Sequence, residues 1–274
     1  MNRFEGAVAA VVGSPVSHSL SPAMHGAALA ARGVTDRHPY IAVEIGAGGL
    51  SAAVDEARSA GLVGLSVTTP LKEEALALAD RADDGSLAAR SANTLTFADG
   101  AIDASTTDGE GCCDALEGGG ARIAGAVCAV LGAGATARSV VAALGRRGAS
   151  EVLVVNRTQA RAEAAAGLAA VARVASVREV RLARIVVNCT SVGMGTWESP
   201  FGAGMLGEGA TVLDAVYHPL LTRFLEESAA AGATCVDGAW MLVHQAARQQ
   251  LRWFGTAPDV AAMRAAAVEE LARR

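Results

Sequence analysis

The sequence of 274 residues has little of several residue types, and each scarcity excludes a class of protein. Its 23 Lys and Arg stand against 28 Asp and Glu, giving a formal net charge of −5, and no basic stripe typical of nucleic-acid-binding proteins is present. No apolar run reaches the roughly 18 residues that a membrane helix needs. About six apolar residues precede Gly13, too few for a signal peptide. We therefore expect no nucleic-acid partner, no membrane association and no secretion.

Cysteine is also scarce, and its spacing is uninformative for metal binding. The five cysteines form no CxxC pair, and few histidines lie near them, so the sequence predicts no metal site. Free thiols without a disulfide framework favour a reducing compartment. We expect a cytoplasmic protein.

Lysine is the scarcest charged residue: the basic residues are 22 arginines and a single lysine, Lys72. Arginine stays protonated at every accessible pH, whereas lysine can give and take a proton. A mobile surface lysine is one interpretation of Lys72, and proton transfer is the other. Asparagine and tyrosine are rare too, at positions 2, 93, 156 and 188 and at 40 and 217 respectively.

Strand-like and helix-like segments alternate along the chain, which predicts an α/β fold with parallel sheets and right-handed crossovers. Predicted strands cover 7–12, 39–43, 62–67, 126–131, 151–155, 184–188, 211–216 and 234–236. Predicted helices cover 22–31, 49–59, 71–81, 109–116, 135–146, 158–170, 219–230, 239–253 and 259–272. Pro22 and Pro219 suit the first position of a helix.

Residues 126–144 have the pattern of a strand, a glycine turn and a helix. Gly132-x-Gly134-x-x-Ala137 fits the Gly-x-Gly-x-x-Gly/Ala pattern, in which the first glycine permits the turn and the second lets a pyrophosphate approach the helix N-terminus. Ala137 then allows close packing of helix on strand. The segment predicts a dinucleotide site.

The following strand ends in Asn156-Arg157-Thr158, where an NAD site usually has an acid that binds the ribose hydroxyl. No acid stands there. Arg157 can instead pair with a 2′-phosphate, and Arg161 and Arg138 add charge nearby. NADP is therefore favoured over NAD, although arginines on solvated helix faces are the alternative interpretation.

Four further segments have the composition of binding loops: 13–22, 66–72, 91–95 and 105–111. The first gathers several hydroxyls before a helix start, which suits a carboxylate or phosphate, or simple helix capping. Asp108 near Lys72 would form a proton-transfer pair, whereas a plain helix cap is the alternative for Asp108.

Nine segments occur, in this order, between about residue 13 and residue 255: GSPVSHSLSP, SVTTPLK, SANTL, TTDGEG, GAGATAR, NRTQARA, NCTSVGM, DAVYHPLLTRFL and GAWMLVHQAARQQLRWFG. In these segments and their order the sequence resembles the shikimate dehydrogenase family. The resemblance implies NADPH-dependent reduction of 3-dehydroshikimate to shikimate, in aromatic amino acid biosynthesis.

The resemblance also implies roles for individual residues. Lys72 and Asp108 match the catalytic pair, while Ser19, Ser21 and Tyr217 match the residues that hold the substrate carboxylate. The residues around the ring hydroxyls correspond to Thr68, Asn93, Asp108 and Gln245. The NADP loops correspond to Gly132, Ala133, Gly134, Ala135, Thr136 and Ala137 and to Asn156, Arg157, Thr158 and Arg161, and the nicotinamide half to Thr190, Ala215, Gly238 and Met241.

The implied fold has two domains around a cleft. Residues 1–104, with helices 239–274 packed back on them, form the α/β substrate domain, and residues 105–238 form a doubly wound, Rossmann-type NADP domain. A monomer and a homodimer are both compatible with the sequence.

Four residues depart from the family pattern. Ser66 and Thr106 replace the usual Asn, Gly26 follows His25 where Asn is usual, and Ala135 replaces a common third glycine. The changes at 66 and 106 remove amide groups near the substrate ring and keep two alternatives open: a quinate dehydrogenase, or an enzyme for an aminated ring. A non-catalytic NADP-binding regulator is a third, which retention of Lys72 and Asp108 disfavours.

Overall fold

A computed structural model describes residues 2–34 and 39–274 of the chain. The chain divides into two compact units: unit 1 comprises Met1–Thr107 and Gln245–Arg274, and unit 2 comprises Asp108–His244. Each has its own six-stranded sheet and its own core.

Unit 1 contains a mixed sheet with the strand order β2-β1-β3-β5-β6-β4. The strands are β1 (Ala9–Gly13), β2 (Tyr40–Glu44), β3 (Gly64–Val67), β4 (Arg81–Ala82), β5 (Thr94–Ala98) and β6 (Ala101–Ser105). β1 pairs in parallel with β2 and β3, whereas β5 is antiparallel to both β3 and β6. The β5–β6 hairpin therefore extends an otherwise parallel sheet.

The helices of unit 1 bury apolar stripes against this sheet and against each other. They are α1 (Ser21–Ala30), α2 (Leu50–Ser59), α3 (Lys72–Ala77), α4 (Asp84–Ala89) and α10 (Val260–Ala272). In α2 the buried residues are Leu50, Ala53, Val54 and Ala57, the i, i+3, i+4, i+7 spacing of one helix face. These side chains join Leu65 and Val67 of β3 in one core.

Unit 2 contains a sheet in which every pair of strands is parallel, with the order β12-β11-β10-β7-β8-β9. The strands are β7 (Val127–Leu131), β8 (Glu151–Val155), β9 (Ala172–Val174), β10 (Ile185–Asn188), β11 (Thr211–Asp214) and β12 (Thr234–Val236). The order reverses between β7 and β10, which is the arrangement of doubly wound dinucleotide-binding sheets. The predicted Rossmann-type fold is confirmed.

The helices of unit 2 are α5 (Asp108–Gly118), α6 (Ala135–Arg146), α7 (Gln159–Ala166), α8 (Arg223–Ala230) and the start of α9 (Gly238–Phe254), which continues into unit 1. Two 3₁₀ segments, Val177–Leu182 and Ala203–Met205, complete the unit. Within the described ranges, no helix combines the length and the apolar character that crossing a bilayer requires.

Two boundaries differ from those predicted. The units divide after Thr107 rather than after residue 104, because Ser105 pairs with Thr94 inside the first sheet and Thr107 bonds to Asn93. The chain returns from unit 2 to unit 1 after His244, six residues beyond the predicted boundary at residue 238.

The prediction that a helix starts at Pro219 is wrong, because α8 begins at Arg223. Its N-cap is Thr222, whose hydroxyl accepts from the Leu225 N–H and donates to the Asp214 carboxylate. The start of the helix is therefore set by the cap residue and its buried partner.

Candidate functional site

The glycine turn between β7 and α6 has the geometry of a phosphate cradle. Gly132 has φ +106°, and a Cβ there would lie 3.2 Å from the Cys189 carbonyl oxygen. Gly134 precedes α6 without capping by a side chain, and a Cβ on it would have nothing within 4 Å. The first amides of α6 are thus left for an external acceptor, and Ala135 and Thr136 open the helix. These features fit a pyrophosphate.

The second cofactor segment follows β8. Nδ2 of Asn156 donates to the Thr158 carbonyl oxygen over 2.9 Å, which fixes the turn into α7. Arg157 and Arg161 are exposed, and among the described residues neither forms an ion pair. No acid occurs between 156 and 162. Two exposed guanidinium groups, with no acid at the end of β8 where a ribose-binding carboxylate would stand, suit a 2′-phosphate rather than a free ribose hydroxyl.

A buried polar network holds the loops that follow β10 and β11. Asp214 is fully buried, and burial raises the pKa of its carboxyl group, although Thr222, Val216 and Asn188 donate to it. Oδ1 of Asn188 accepts from both the N–H and the hydroxyl of Thr190, at 3.0 and 2.7 Å. Asp214 therefore fixes Asn188, and Asn188 fixes Thr190.

The remaining residues predicted for the nicotinamide half lie together in unit 2. A Cβ on Gly238 would lie 2.6 Å from the Asp214 carbonyl oxygen, so α9 starts directly against the end of β11. Met241 belongs to the same core as Ala133 and Ala137, and Ala215 packs on that core. The predicted cofactor-binding segments therefore all follow the carboxyl ends of parallel strands of one sheet.

In unit 1 the serine loop leads from β1 into α1. Ser19 Oγ accepts from the Ser21 N–H at 3.2 Å, and Ser21 is nearly buried. The guanidinium group of Arg274 donates to the carbonyl oxygens of His18 and Ser19. The two serines are therefore held on one short, anchored loop.

Asn93 lies at the centre of a buried polar cluster in unit 1. Its Oδ1 accepts from the Thr107 N–H at 2.9 Å, and its Nδ2 donates to Thr107 Oγ1 at 2.9 Å and to Gln245 Oε1 at 3.2 Å. Asn93, Thr107 and Gln245 are all nearly buried. The structure thus brings together two of the residues predicted to face the ring hydroxyls, Asn93 and Gln245.

The predicted proton-transfer residues start two helices. Lys72 is the first residue of α3 and half-buried, and its carbonyl oxygen accepts from the Ala92 N–H at 2.8 Å. Thr68 follows β3 four residues earlier. Asp108 is the first residue of α5 in unit 2 and is nearly buried, and Tyr217, also in unit 2, is half-buried after β11.

Three residues in the Asn93 cluster carry polar contacts that the sequence did not predict. Gln249 donates to the Asn93 carbonyl oxygen and to Thr94 Oγ1, and accepts from Ser66 Oγ. Ser66 in turn accepts from Tyr40 at 2.6 Å. Two features of the sequence could have drawn attention to these contacts: the rarity of tyrosine, and the presence of Ser66 where the family usually has Asn. Thr106, the second departure from the family pattern, is also buried.

The fold and these residues define the class: a two-unit α/β protein with a Rossmann-type dinucleotide-binding unit. Three family models match it in chain order. "Shikimate dehydrogenase substrate binding domain" covers residues 11–95, "Shikimate / quinate 5-dehydrogenase" covers 117–192, and "Shikimate 5'-dehydrogenase C-terminal domain" covers 238–268.

Similar proteins span almost the whole chain. The shikimate dehydrogenase (NADP(+)) of Thermococcus kodakarensis is 38% identical, covering 94% of this chain and 95% of its own length. The shikimate dehydrogenase (NADP(+)) of Halobacterium salinarum is 40% identical, covering 93% of this chain and 96% of its own length. The structure of shikimate 5-dehydrogenase from Thermus thermophilus in complex with NADP(H) and shikimate superposes with a TM-score of 0.90 at 37% identity, covering 96% and 98%. The chain belongs to the shikimate dehydrogenase family.

Proposed function

We propose that this protein is a shikimate dehydrogenase that reduces 3-dehydroshikimate to shikimate with NADPH, reversibly, in aromatic amino acid biosynthesis in the cytoplasm. The observation that carries the proposal is the full-length similarity to enzymes of that name, at 38% and 40% identity. The matched motifs include the single lysine, Lys72, and Asp108.

Cofactor selection follows from unit 2. The open glycine turn at Gly132 and Gly134 would hold the pyrophosphate through the first amides of α6. Arg157 and Arg161 would pair with the 2′-phosphate, since guanidinium groups bind phosphate in a bidentate geometry. Thr190 and Met241 would lie at the nicotinamide half.

Substrate binding is assigned mainly to unit 1. Ser19 and Ser21 would donate their hydroxyls to the substrate carboxylate, with Tyr217 as an additional donor. Thr68, Asn93 and Gln245 would bind the ring hydroxyls; the hydrogen bond between the Asn93 and Gln245 side-chain amides supports this assignment.

The bound NADPH supplies the hydride. The carbonyl oxygen gains negative charge as the reduction proceeds, and the ammonium group of Lys72 donates a proton to it. Asp108 would be the second member of the proton-transfer pair and would accept a hydrogen bond from a ring hydroxyl. General acid help of this kind accelerates a reaction by about 10² to 10⁴.

The losses of Asn at positions 66 and 106 favour one other candidate, a quinate dehydrogenase of the same family. Its test is an assay of two alcohols with two cofactors: kcat/KM for shikimate and for quinate, each with NADP⁺ and with NAD⁺. We expect shikimate with NADP⁺ to exceed the other three combinations by about tenfold or more, since one lost hydrogen-bonding partner costs that much. A higher kcat/KM for quinate would reassign the substrate. No change in absorbance at 340 nm with either alcohol would indicate a non-catalytic protein.

A further inference from the structure

The serine loop between β1 and α1 is held by buried side chains on either side of a more exposed stretch. Val16 and Leu20 are buried, whereas His18 is exposed and Ser19 is half-buried. Within this stretch the Ser19 N–H donates to the Val16 carbonyl oxygen at 3.0 Å, which closes one turn. The conformation of the exposed stretch therefore depends on what binds its main-chain carbonyl groups.

Arg274, which follows α10, binds two of those carbonyl groups. Its guanidinium group donates through Nη1 to the carbonyl oxygen of His18 and through Nη2 to that of Ser19. The Arg274 N–H donates to the Leu271 carbonyl oxygen, so the residue continues the last turn of the helix. A guanidinium group carries five N–H donors in a rigid, planar fork. One side chain can therefore hold two consecutive carbonyl groups and still bind a carboxylate.

Glu270 holds the guanidinium group of Arg274 in place. Its Oε1 accepts from Nε and Nη2 of Arg274 at 3.2 and 3.1 Å, and the two side chains are 30% and 23% exposed. The adjacent Arg273 is 64% exposed and pairs with Glu269 and Glu270. Of these two neighbouring arginines, both paired with Glu270, only Arg274 reaches the serine loop within the described part of the chain.

The contact from Arg274 acts directly on a residue proposed to bind the substrate. Ser19 has both a carbonyl group that accepts from Arg274 and a hydroxyl group that is proposed to donate to the substrate carboxylate. Because Ser19 Oγ accepts from the Ser21 N–H, its own hydrogen remains for donation. A shift of the main chain at Ser19 would displace this hydroxyl and break its bond to Ser21.

We propose that Arg274 is a positioning residue for the substrate carboxylate: it fixes the main chain at His18 and Ser19 and so holds the Ser19 hydroxyl in place before the substrate binds. The inference rests on the proposed function, in which Ser19 and Ser21 hold that carboxylate. A loop that is already ordered loses less conformational entropy on binding, which raises affinity. Proton transfer is assigned to other residues, so the contribution of Arg274 belongs to binding, equally in the ground state and the transition state.

Arg274→Ala is the decisive variant. KM for shikimate should rise by about tenfold, because two charge-assisted hydrogen bonds to the loop are lost, while kcat and KM for NADP⁺ stay within about twofold. Arg274→Lys keeps the charge without the planar fork, so it should recover part of the loss and raise KM by only about threefold. Steady-state kinetics of shikimate oxidation measures all three quantities.

Arg273→Ala is the matched control, since it removes a cation from the same turn, with the same acidic partner, and leaves the serine loop untouched. It should keep wild-type KM for shikimate. Equal KM values in Arg274→Ala and Arg273→Ala would overturn the inference, and so would an Arg274→Ala loss confined to kcat. If circular dichroism shows that Arg274→Ala is unfolded, Arg274→Lys decides, and a wild-type KM in that variant would overturn the inference.

A second readout separates positioning from direct attraction between Arg274 and the carboxylate. Salt screens attraction across solvent but leaves the bonds to the loop in place, so the ratio of KM in Arg274→Ala to KM in wild type should change by less than about twofold between about 0.05 and 0.5 M NaCl. A ratio that falls to about one at high salt would overturn the positioning role.

A third readout uses the shikimate analogue with hydrogen in place of the carboxylate. Arg274→Ala should change kcat/KM for this analogue by less than about twofold, because the analogue has no group for the serine loop to bind. A tenfold loss on both alcohols would show a general loss of activity and overturn the inference. Each of these failures leaves the proposed function intact, whereas wild-type protein that does not oxidise shikimate would refute the proposed function and the inference with it.

Discussion

The main-chain N–H of Gly109 donates to Ser139 Oγ at 2.9 Å, and a Cβ on Gly109 would lie 2.1 Å from the Ser139 carbonyl oxygen. Helix α5 therefore packs against α6 with backbone touching backbone, which only glycine permits at this crossing. Asp108, the second member of the proposed proton-transfer pair, starts α5 immediately before this contact.

Gly109→Ala is expected to lower the free energy of unfolding by about 1–3 kcal/mol, because overpacking displaces one helix from the other. Urea denaturation followed by circular dichroism measures this. Gly118→Ala in the same helix is the control, since its Cβ would have only His244 Nε2 within 4 Å, at 3.8 Å, and should leave stability nearly unchanged. Equal losses in the two variants would contradict the packing argument.

Much of the fold was predictable because apolar strand segments alternate regularly with Ala-rich helical segments in unit 2. The strands predicted at 151–155 and 234–236 and the helix at 135–146 have the observed bounds. The hairpin of β5 and β6 was not predicted, although Asp99-Gly100 is a strong signal for a tight turn. Both residues have positive φ, +52° and +78°, as a type I′ turn requires. The two strands have only five residues each and contain several alanines, which weakens the alternation of apolar and polar side chains by which a strand is predicted.

The contacts of Gln249 within the Asn93 cluster could not be predicted from sequence spacing. Gln249 and Asn93 are 156 positions apart, and their contact depends on α9 returning to unit 1. Sequence motifs identify the residues expected to contact a ligand. The residues that hydrogen-bond to those side chains are brought there by the tertiary fold, which the motifs do not specify. Asn93 and Gln245 were therefore predicted, and Thr94 and Gln249 were not.

Lys72→Ala is expected to lower kcat by about 100-fold or more with a modest change in KM, because proton donation is lost from the transition state. Lys72→Arg should fail similarly, since guanidinium does not release its proton. Steady-state kinetics with shikimate and NADP⁺ measures both.

Arg58→Ala is a control for loss of a cation in unit 1, because Arg58 is bonded to the Gly100 carbonyl at the far end of the β5–β6 hairpin. It should keep wild-type kinetics. Activity of Lys72→Ala within about fivefold of wild type would remove Lys72 from the chemistry.

His25 makes folding stability depend on pH. Its ring is fully buried and stacked on Tyr40 with centroids 4.1 Å apart, and burial lowers its pKa from 6.5 to about 3. Between these values the unfolded state binds the additional proton, so this contribution is complete above pH 6.5 and is lost as pH falls towards 3. The expected loss from this group between pH 7 and pH 5 is about 2 kcal/mol.

His25→Phe keeps a ring against Tyr40 and removes the titration. Urea denaturation at pH 7 and pH 5 should show a pH-dependent loss about 2 kcal/mol smaller in the variant than in wild type. His18→Phe is the matched control, since His18 is exposed, and should retain the wild-type difference. An identical pH dependence in His25→Phe and wild type would show that His25 is not the titrating group.

Arg157→Ala should weaken binding of NADP⁺ while sparing NAD⁺. A guanidinium–phosphate hydrogen bond contributes about 1.5–3 kcal/mol, so KM for NADP⁺ should rise by about 10- to 100-fold, with KM for NAD⁺ changed by less than about threefold. Arg178→Ala is the control, since Arg178 is an exposed arginine of unit 2 on the 3₁₀ segment Val177–Leu182. If Arg157→Ala raised KM for both cofactors equally, Arg157 would contact the shared part of the nucleotide, and the preference for NADP would rest on Arg161 or another cation.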